Sequence, residues 1–203
     1  MTKRAAPHRF CLALALLAPL PALAGAQIYE PLADSVRATL SAAVSDRAPL
    51  TLNFSRPEDA HRWLFEMSRR LAKIIPDRTV RLQLLKTVQY EATRAGLDPQ
   101  LVLGVVDVES KFRKYAVSAS GARGYMQVMP FWTKLFGLPK DNLFHLRTNL
   151  RYGCVILRYY LDIEKGNYFR ALGRYNGSLG QAQYPSLVLK AWRQRWGYDA
   201  PTH

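Results

Sequence analysis

The sequence predicts a mainly α-helical fold, with a small irregular or β element between Lys111 and Gln127. Three observations carry this. From Trp63 onward apolar residues recur every three or four positions, the period of a helix with one face turned to a core. Cap residues and terminating glycines or prolines bracket those stretches. The strict apolar–polar alternation of a half-buried strand is nearly absent.

The elements follow in order. Leu32 to Val44 reads as a short helix in a peripheral segment, Gln27 to about Asn53. Ser55-Arg56-Pro57-Glu58 has the form of a capping box, with Ser55 as cap and Glu58 three residues on. The helix it opens aligns Trp63, Met67, Leu71 and Ile74 and stops at Pro76. Asp77 caps a second helix, aligning Val80, Leu84, Val88 and Ala92 and ending at Gly96. Asp98-Pro99, a cap followed by a first-turn proline, opens a third helix through Val108. Lys111 to Pro130 is rich in Gly and Ser and lacks helical period. A long helix is expected from about Thr148 to Glu164, a short one over Tyr168 to Arg174, and a last one from Ser186 to Trp196.

Composition narrows the class. The chain has 203 residues, 49% hydrophobic and 22% charged, which excludes a wholly disordered chain. No apolar run reaches the roughly 18 residues of a spanning helix. Twenty-nine Lys and Arg face 15 Asp and Glu, a net charge of +14, so an anionic partner is expected. Lys3, Arg4 and Arg9 precede an apolar stretch from Phe10 to Leu20 and small-x-small exits at Ala24 and Ala26. These are the parts of a secretory signal peptide over residues 1–26, cleaved near Ala24 or Ala26. A periplasmic location follows, with no permanent membrane span and no nucleic-acid partner. Cleavage leaves Cys154 as the sole cysteine. It is in step with Leu150, Leu157 and Leu161 and is read as a buried structural thiol.

One carboxylate stands out. Val102, Val105, Val106 and Glu109 share one face of the third helix, whereas Asp107 projects roughly 200° away. An apolar setting and the negative end of the helix dipole both disfavour the charged form of Glu109. Its pKa should rise, keeping a proton available for general acid catalysis on a glycosidic oxygen.

The residues after Glu109 extend the pattern. Glu109-Ser110-Lys111-Phe112 is followed by Ser118-Ala119-Ser120-Gly121-Ala122-Arg123-Gly124-Tyr125-Met126-Gln127-Val128-Met129-Pro130, then by Asn149-Leu150-Arg151-Tyr152-Gly153 and Arg174-Tyr175-Asn176-Gly177. In this order and spacing the set resembles the lytic transglycosylase domain of the soluble lytic murein transglycosylase type, which has a lysozyme-like fold. The resemblance covers about Val80 to Gly180. It implies that Glu109 is the single catalytic glutamate and that Ser118 helps position the N-acetyl sugar. Gly121 and Gly124 would let the loop backbone approach the glycan. Met126, Gln127 and Met129 would line the cleft. The Tyr175 hydroxyl would face the catalytic carboxyl, with Asn176 beside it. Two departures stand out: Tyr125 where the family usually has an aliphatic residue, and Phe131-Trp132 where it has a small residue after the proline.

The resulting domain reading is a signal peptide over residues 1–26, an N-terminal helical extension over 27–76 and a lysozyme-like transglycosylase domain over 77–203. The implied function is cleavage of the β-1,4 bond between N-acetylmuramic acid and N-acetylglucosamine in peptidoglycan, with formation of 1,6-anhydromuramic acid. A glycosidase generally uses two carboxyl groups about 5–10 Å apart. Here no motif block supplies a second one, so Glu109 is expected to act as acid and then as base. Two alternatives stay open: a muramidase that uses water, and a non-catalytic peptidoglycan-binding module of an envelope assembly. His61, His145 and His203 have no ligand spacing, so no metal and no other cofactor is expected. The expected partners are peptidoglycan glycan strands and envelope or secretion-apparatus proteins, the chain itself being a monomer.

Overall fold

The computed structural model describes residues 27–45 and 48–198. The expected signal peptide, with its exits at Ala24 and Ala26, lies outside the described residues. Among the described residues eight α-helices follow one another: α1 (Asp34–Ser45), α2 (Pro57–Leu71), α3 (Arg78–Arg94), α4 (Pro99–Ser110), α5 (Phe131–Phe136), α6 (Leu146–Ile163), α7 (Tyr168–Asn176) and α8 (Gln183–Lys190). The last continues into a π-helical turn, Ala191–Trp196. Among the described residues β pairing is confined to two isolated bridges, Val117 to Arg123 and Arg123 to Val128. The mainly helical fold with a small β element at this loop is therefore as the sequence predicts.

The centre is α4. Asp98 caps it by accepting the Gln100 N–H at 2.7 Å, and Pro99 is its first residue. Leu101, Val102, Leu103, Val105 and Val106 are all fully buried. Burial of such side chains contributes about 1.5–3 kcal/mol each. Packed around α4 are α3, α8 and the π-helical turn. Gly104 permits the closest crossing, since a Cβ there would lie 3.1 Å from the backbone nitrogen of Trp192. A second packing layer is formed by α6 against α3 and α7, with α1 lying on α5 and α6. Cys154 is a buried free thiol on α6, and burial pushes its pKa up.

Local rules account for most boundaries, and their failures have physical causes. Asp77 caps α3 by accepting the Thr79 and Val80 N–H groups. Ser55 does not cap α2. Arg56 occupies the cap position in extended backbone, with φ −136° and ψ 145°. A residue before proline is pushed out of the helical region, so Arg56 cannot be the first helical residue that a Ser55 cap requires. Its guanidinium instead pairs with Asp59 at 3.0 Å. Val80, expected on the apolar face, stays exposed in the first turn of α3. The six-residue α5 is too short to show a period.

Beyond the apolar core, one ionic cluster ties three helices together. Glu91 of α3 is fully buried. Its carboxylate meets Arg94 at 3.0 Å, Arg147 at 3.1 Å and Arg151 at 3.0 Å. Arg94 and Arg151 also donate to the carbonyls of Ala43 and Val44 at the end of α1, where cations complement the helix dipole. Removing this buried anion from the cations around it is costly. Glu91→Gln should lower stability by about 3 kcal/mol and the melting temperature by roughly 6–12 °C. A thermal melt shifted by less than about 2 °C would contradict this role.

Candidate active site

Glu109 occupies the last turn of α4 and is only 7% exposed. One carboxyl oxygen, Oε1, accepts the Tyr184 hydroxyl at 2.7 Å. The other, Oε2, is buried with no hydrogen-bond partner. Burial raises the pKa to about 8, against the opposing effect of the Tyr184 hydrogen bond, which favours the anion. The sequence expectation of a raised pKa therefore holds, and its cause is loss of water.

The other candidate carboxylates are held elsewhere. Asp107 receives Trp196 Nε1 at 3.2 Å and Arg195 at 2.9 Å, with Lys111 at 3.4 Å. It thus fastens the C-terminal π-helical turn to α4. Asp98 caps α4 and accepts from Trp192 Nε1 at 3.0 Å. Asp162 pairs with Arg158, and Glu164 with Arg170 and Arg174. Among the described residues no cluster of His, Cys, Asp and Glu could hold a metal ion.

After Glu109 the chain reverses through Lys111 and Phe112, whose φ angles are 51° and 61°. Phe112 then packs against Trp196. The following loop folds back on itself. Arg123 and Val128 exchange two backbone hydrogen bonds of 3.0 Å, and Gly124 N–H donates to Ala116. Ser118 Oγ accepts the Ala122 N–H at 3.1 Å. Gln127, itself at φ 48°, donates its side-chain amide to the carbonyls of Ala116 and Gly124.

A residue quoted in the motif but given no role, Asn149, secures this loop from α6. Its Oδ1 accepts the Met126 N–H at 2.8 Å. Its Nδ2 donates to the carbonyls of Arg123 and Leu143, both at 2.8 Å. Gly124 is required beside it: φ is +76°, and a Cβ would fall 2.5 Å from Asn149 Nδ2. Gly121, at φ +85°, turns the loop with open space around its Cα.

One implied role needs correction. Met126 does not present its side chain to a cleft. It is fully buried against Gly153, where an added Cβ would meet its sulfur at 2.3 Å. The Tyr175 hydroxyl donates to the Met126 carbonyl at 2.7 Å. Tyr184, on α8, makes the bond to Glu109. Tyr175 remains an electrostatic neighbour of Glu109. Met129 is half-buried, and Asn176 is buried at the end of α7. Tyr184 escaped the sequence reading because it lies outside every motif block and 75 residues from Glu109.

The arrangement offers a protonated carboxyl, oriented by one tyrosine, beside a loop braced by Asn149 and Tyr175. Residues 86–186 match the family model described as the Transglycosylase SLT domain. A transglycosylase of Enterobacteria phage PRD1 is 34% identical over 127 residues, covering 59% of this chain and 47% of the phage protein. Membrane-bound lytic murein transglycosylase C of Actinobacillus pleuropneumoniae serotype 5b is 50% identical over 48 residues, 24% of this chain and 13% of that protein. A solved structure of an inactive mutant of lytic transglycosylase Slt from Pseudomonas aeruginosa aligns with a TM-score of 0.44 at 22% identity, covering 67% of this chain and 25% of that one. The chain spans less than half the length of these relatives.

The raised pKa of Glu109 has a stability consequence. Its folded value of about 8 lies above the ordinary 4.5, so folding favours the protonated group. That contribution is complete below pH 4.5 and is lost as pH rises to the folded value. Glu109→Gln should therefore melt at a similar temperature to the wild type at pH 4 and at a clearly higher one at pH 8. Equal melting temperatures at both pH values would contradict a buried, reluctant carboxyl.

Proposed function

We propose, from the match of residues 86–186 to the model of the Transglycosylase SLT domain, that the chain is a peptidoglycan lytic transglycosylase. The reading rests on one observation above the others: a buried carboxyl, Glu109, bonded to the Tyr184 hydroxyl and to no second carboxylate among the described residues, with burial pushing its pKa up to about 8. Residues 77–203 form the catalytic domain in this reading, and residues 27–76 a helical extension.

Glu109 donates its proton to the β-1,4 oxygen between N-acetylmuramic acid and N-acetylglucosamine. The bond breaks towards an oxocarbenium-like centre, stabilised by the substrate's own acetamido group. Glu109, now an anion, is held by the Tyr184 hydroxyl. It then takes the proton of the muramyl 6-hydroxyl as that oxygen attacks C1. The product is a 1,6-anhydro sugar, no water is consumed, and the attack gains from being intramolecular. Ser118, Gly121, Gln127, Met129 and Asn176 are assigned to the glycan-facing side. Tyr175 and Met126 support the loop from behind. The cationic chain suits a carboxylate-bearing wall polymer. Export by the signal peptide over residues 1–26 to the periplasm accords with the murein named for the bacterial relatives.

Mass analysis of muropeptides released from purified sacculi tests the reaction. Anhydro ends are expected; products heavier by one water would mark a muramidase. Glu109→Gln should reduce turnover at least 100-fold, the lower range for a positioned general acid, while sacculus binding persists. Near-normal turnover in that variant would refute the assignment. In Tyr184→Phe the Glu109 pKa should rise further, because the hydrogen bond that favours the anion is gone. The alkaline limb of kcat/KM should then move to higher pH as the maximal rate falls. An unmoved limb would remove Tyr184 from the mechanism.

A further inference from the structure

Residues 27–32 carry no helix or strand, yet they are fastened across the side of the site formed by Met129, Trp132 and Tyr175. Gln27 is the main contact and is 4% exposed. Its Oε1 accepts both the Met129 backbone N–H at 3.1 Å and Trp132 Nε1–H at 2.8 Å. The Gln27 amide also lies beside the Tyr175 hydroxyl. Beyond it the ring of Tyr29 meets Phe131 edge-on at 5.7 Å, and Glu30 comes within 3.9 Å of Arg174. Ile28 and Tyr29 are otherwise more than half exposed.

The notch suits Gln27 imperfectly. Two donors converge on the carbonyl oxygen, whereas Nε2 is buried beside the Tyr175 hydroxyl without a well-formed hydrogen bond to it. A buried amide nitrogen without a well-formed hydrogen bond is unfavourable. An acetamido group has the same carbonyl with a methyl where glutamine has the NH2. It would keep both hydrogen bonds and place an apolar group where the nitrogen is poorly bonded.

We propose that Met129 N–H and Trp132 Nε1–H form an acetamido-binding notch, that Gln27 fills it as an intramolecular ligand, and that an N-acetylated glycan displaces residues 27–32 to enter. The inference rests on the function proposed above and adds a self-occluding contact to it. It also gives a purpose to Trp132, one of the chain's departures from the family pattern. A site open for only part of the time binds its ligand more weakly by that fraction.

The probe is N-acetylated chitotetraose, with the fully de-N-acetylated tetramer as control, in the full chain carrying Glu109→Gln. Adding Gln27→Ala should tighten binding of the N-acetylated tetramer by up to about tenfold, the range of one exchanged hydrogen-bonded group. The de-N-acetylated tetramer should gain nothing. Unchanged or weaker binding on Gln27→Ala overturns the proposal, as does an equal gain for both tetramers. A second measurement needs no change at Gln27. On saturation with the N-acetylated tetramer, the 15N resonance of the Gln27 side-chain amide should move to its solvent-exposed position, while the Trp132 indole N–H stays hydrogen-bonded. A Gln27 amide that does not move overturns the proposal. Anhydro products from sacculi with an unmoved Gln27 would sink the notch alone. Displacement of Gln27 without anhydro products would sink the reaction alone.

Discussion

Water is kept away from one carboxyl group, and the architecture follows from that exclusion. Glu109 can hold a proton near neutral pH because it is buried at the end of α4 and because, among the described residues, a neutral donor, Tyr184, is what bonds to it. A cation beside Glu109 would favour its anion and defeat the purpose. The protein carries many cations, yet near the end of α4 Lys111 and Arg195 are drawn to Asp107 two residues away, and Arg113 donates to the Ser110 carbonyl. Asp107 thus has a clear task on the opposite side of the helix. It absorbs positive charge and anchors Trp196, whose ring closes the core next to Phe112.

A second constraint fixes the loop that follows. Lys111 to Pro130 has little regular structure of its own, so its backbone groups need partners from elsewhere. Asn149 supplies three hydrogen bonds from α6 and Tyr175 supplies one from α7. Gly124 and Gly153 leave the space those contacts need. The helices α6 and α7 therefore act as a rigid backing, and the loop is held to them at the Met126 backbone. The same backing is set against α3 by the Glu91 cluster, so an ionic knot well away from Glu109 helps to align the site.

Local chemistry made much of this legible in the sequence. Asp77 and Asp98 announce α3 and α4 because a cap acts within three residues. Glu109 could be singled out because Val102, Val105 and Val106 share its helix face. Where neighbours in the chain decide, reading fails only when one rule overrides another, as Pro57 overrides Ser55. Contacts between distant segments leave no such trace. Tyr184 meets Glu109 across 75 residues, and nothing in Gln183-Tyr184-Pro185 signals a carboxyl partner. Met126 was assigned to the cleft by its motif, but the packing of Gly153 places it in the core. Gln27 reaches Trp132 across 105 residues, and no periodicity relates them.

The protonation state of Glu109 is the point on which the chemistry turns, and it can be read directly. A 13C NMR titration of glutamate side-chain carboxyls, with Glu109 assigned by its loss in Glu109→Gln, gives the midpoint in the folded chain. The account predicts a midpoint near 8, well separated from the other glutamates. A midpoint close to the ordinary 4.5 would mean that Glu109 is ionised at neutral pH, and the single-carboxyl mechanism would fail with it.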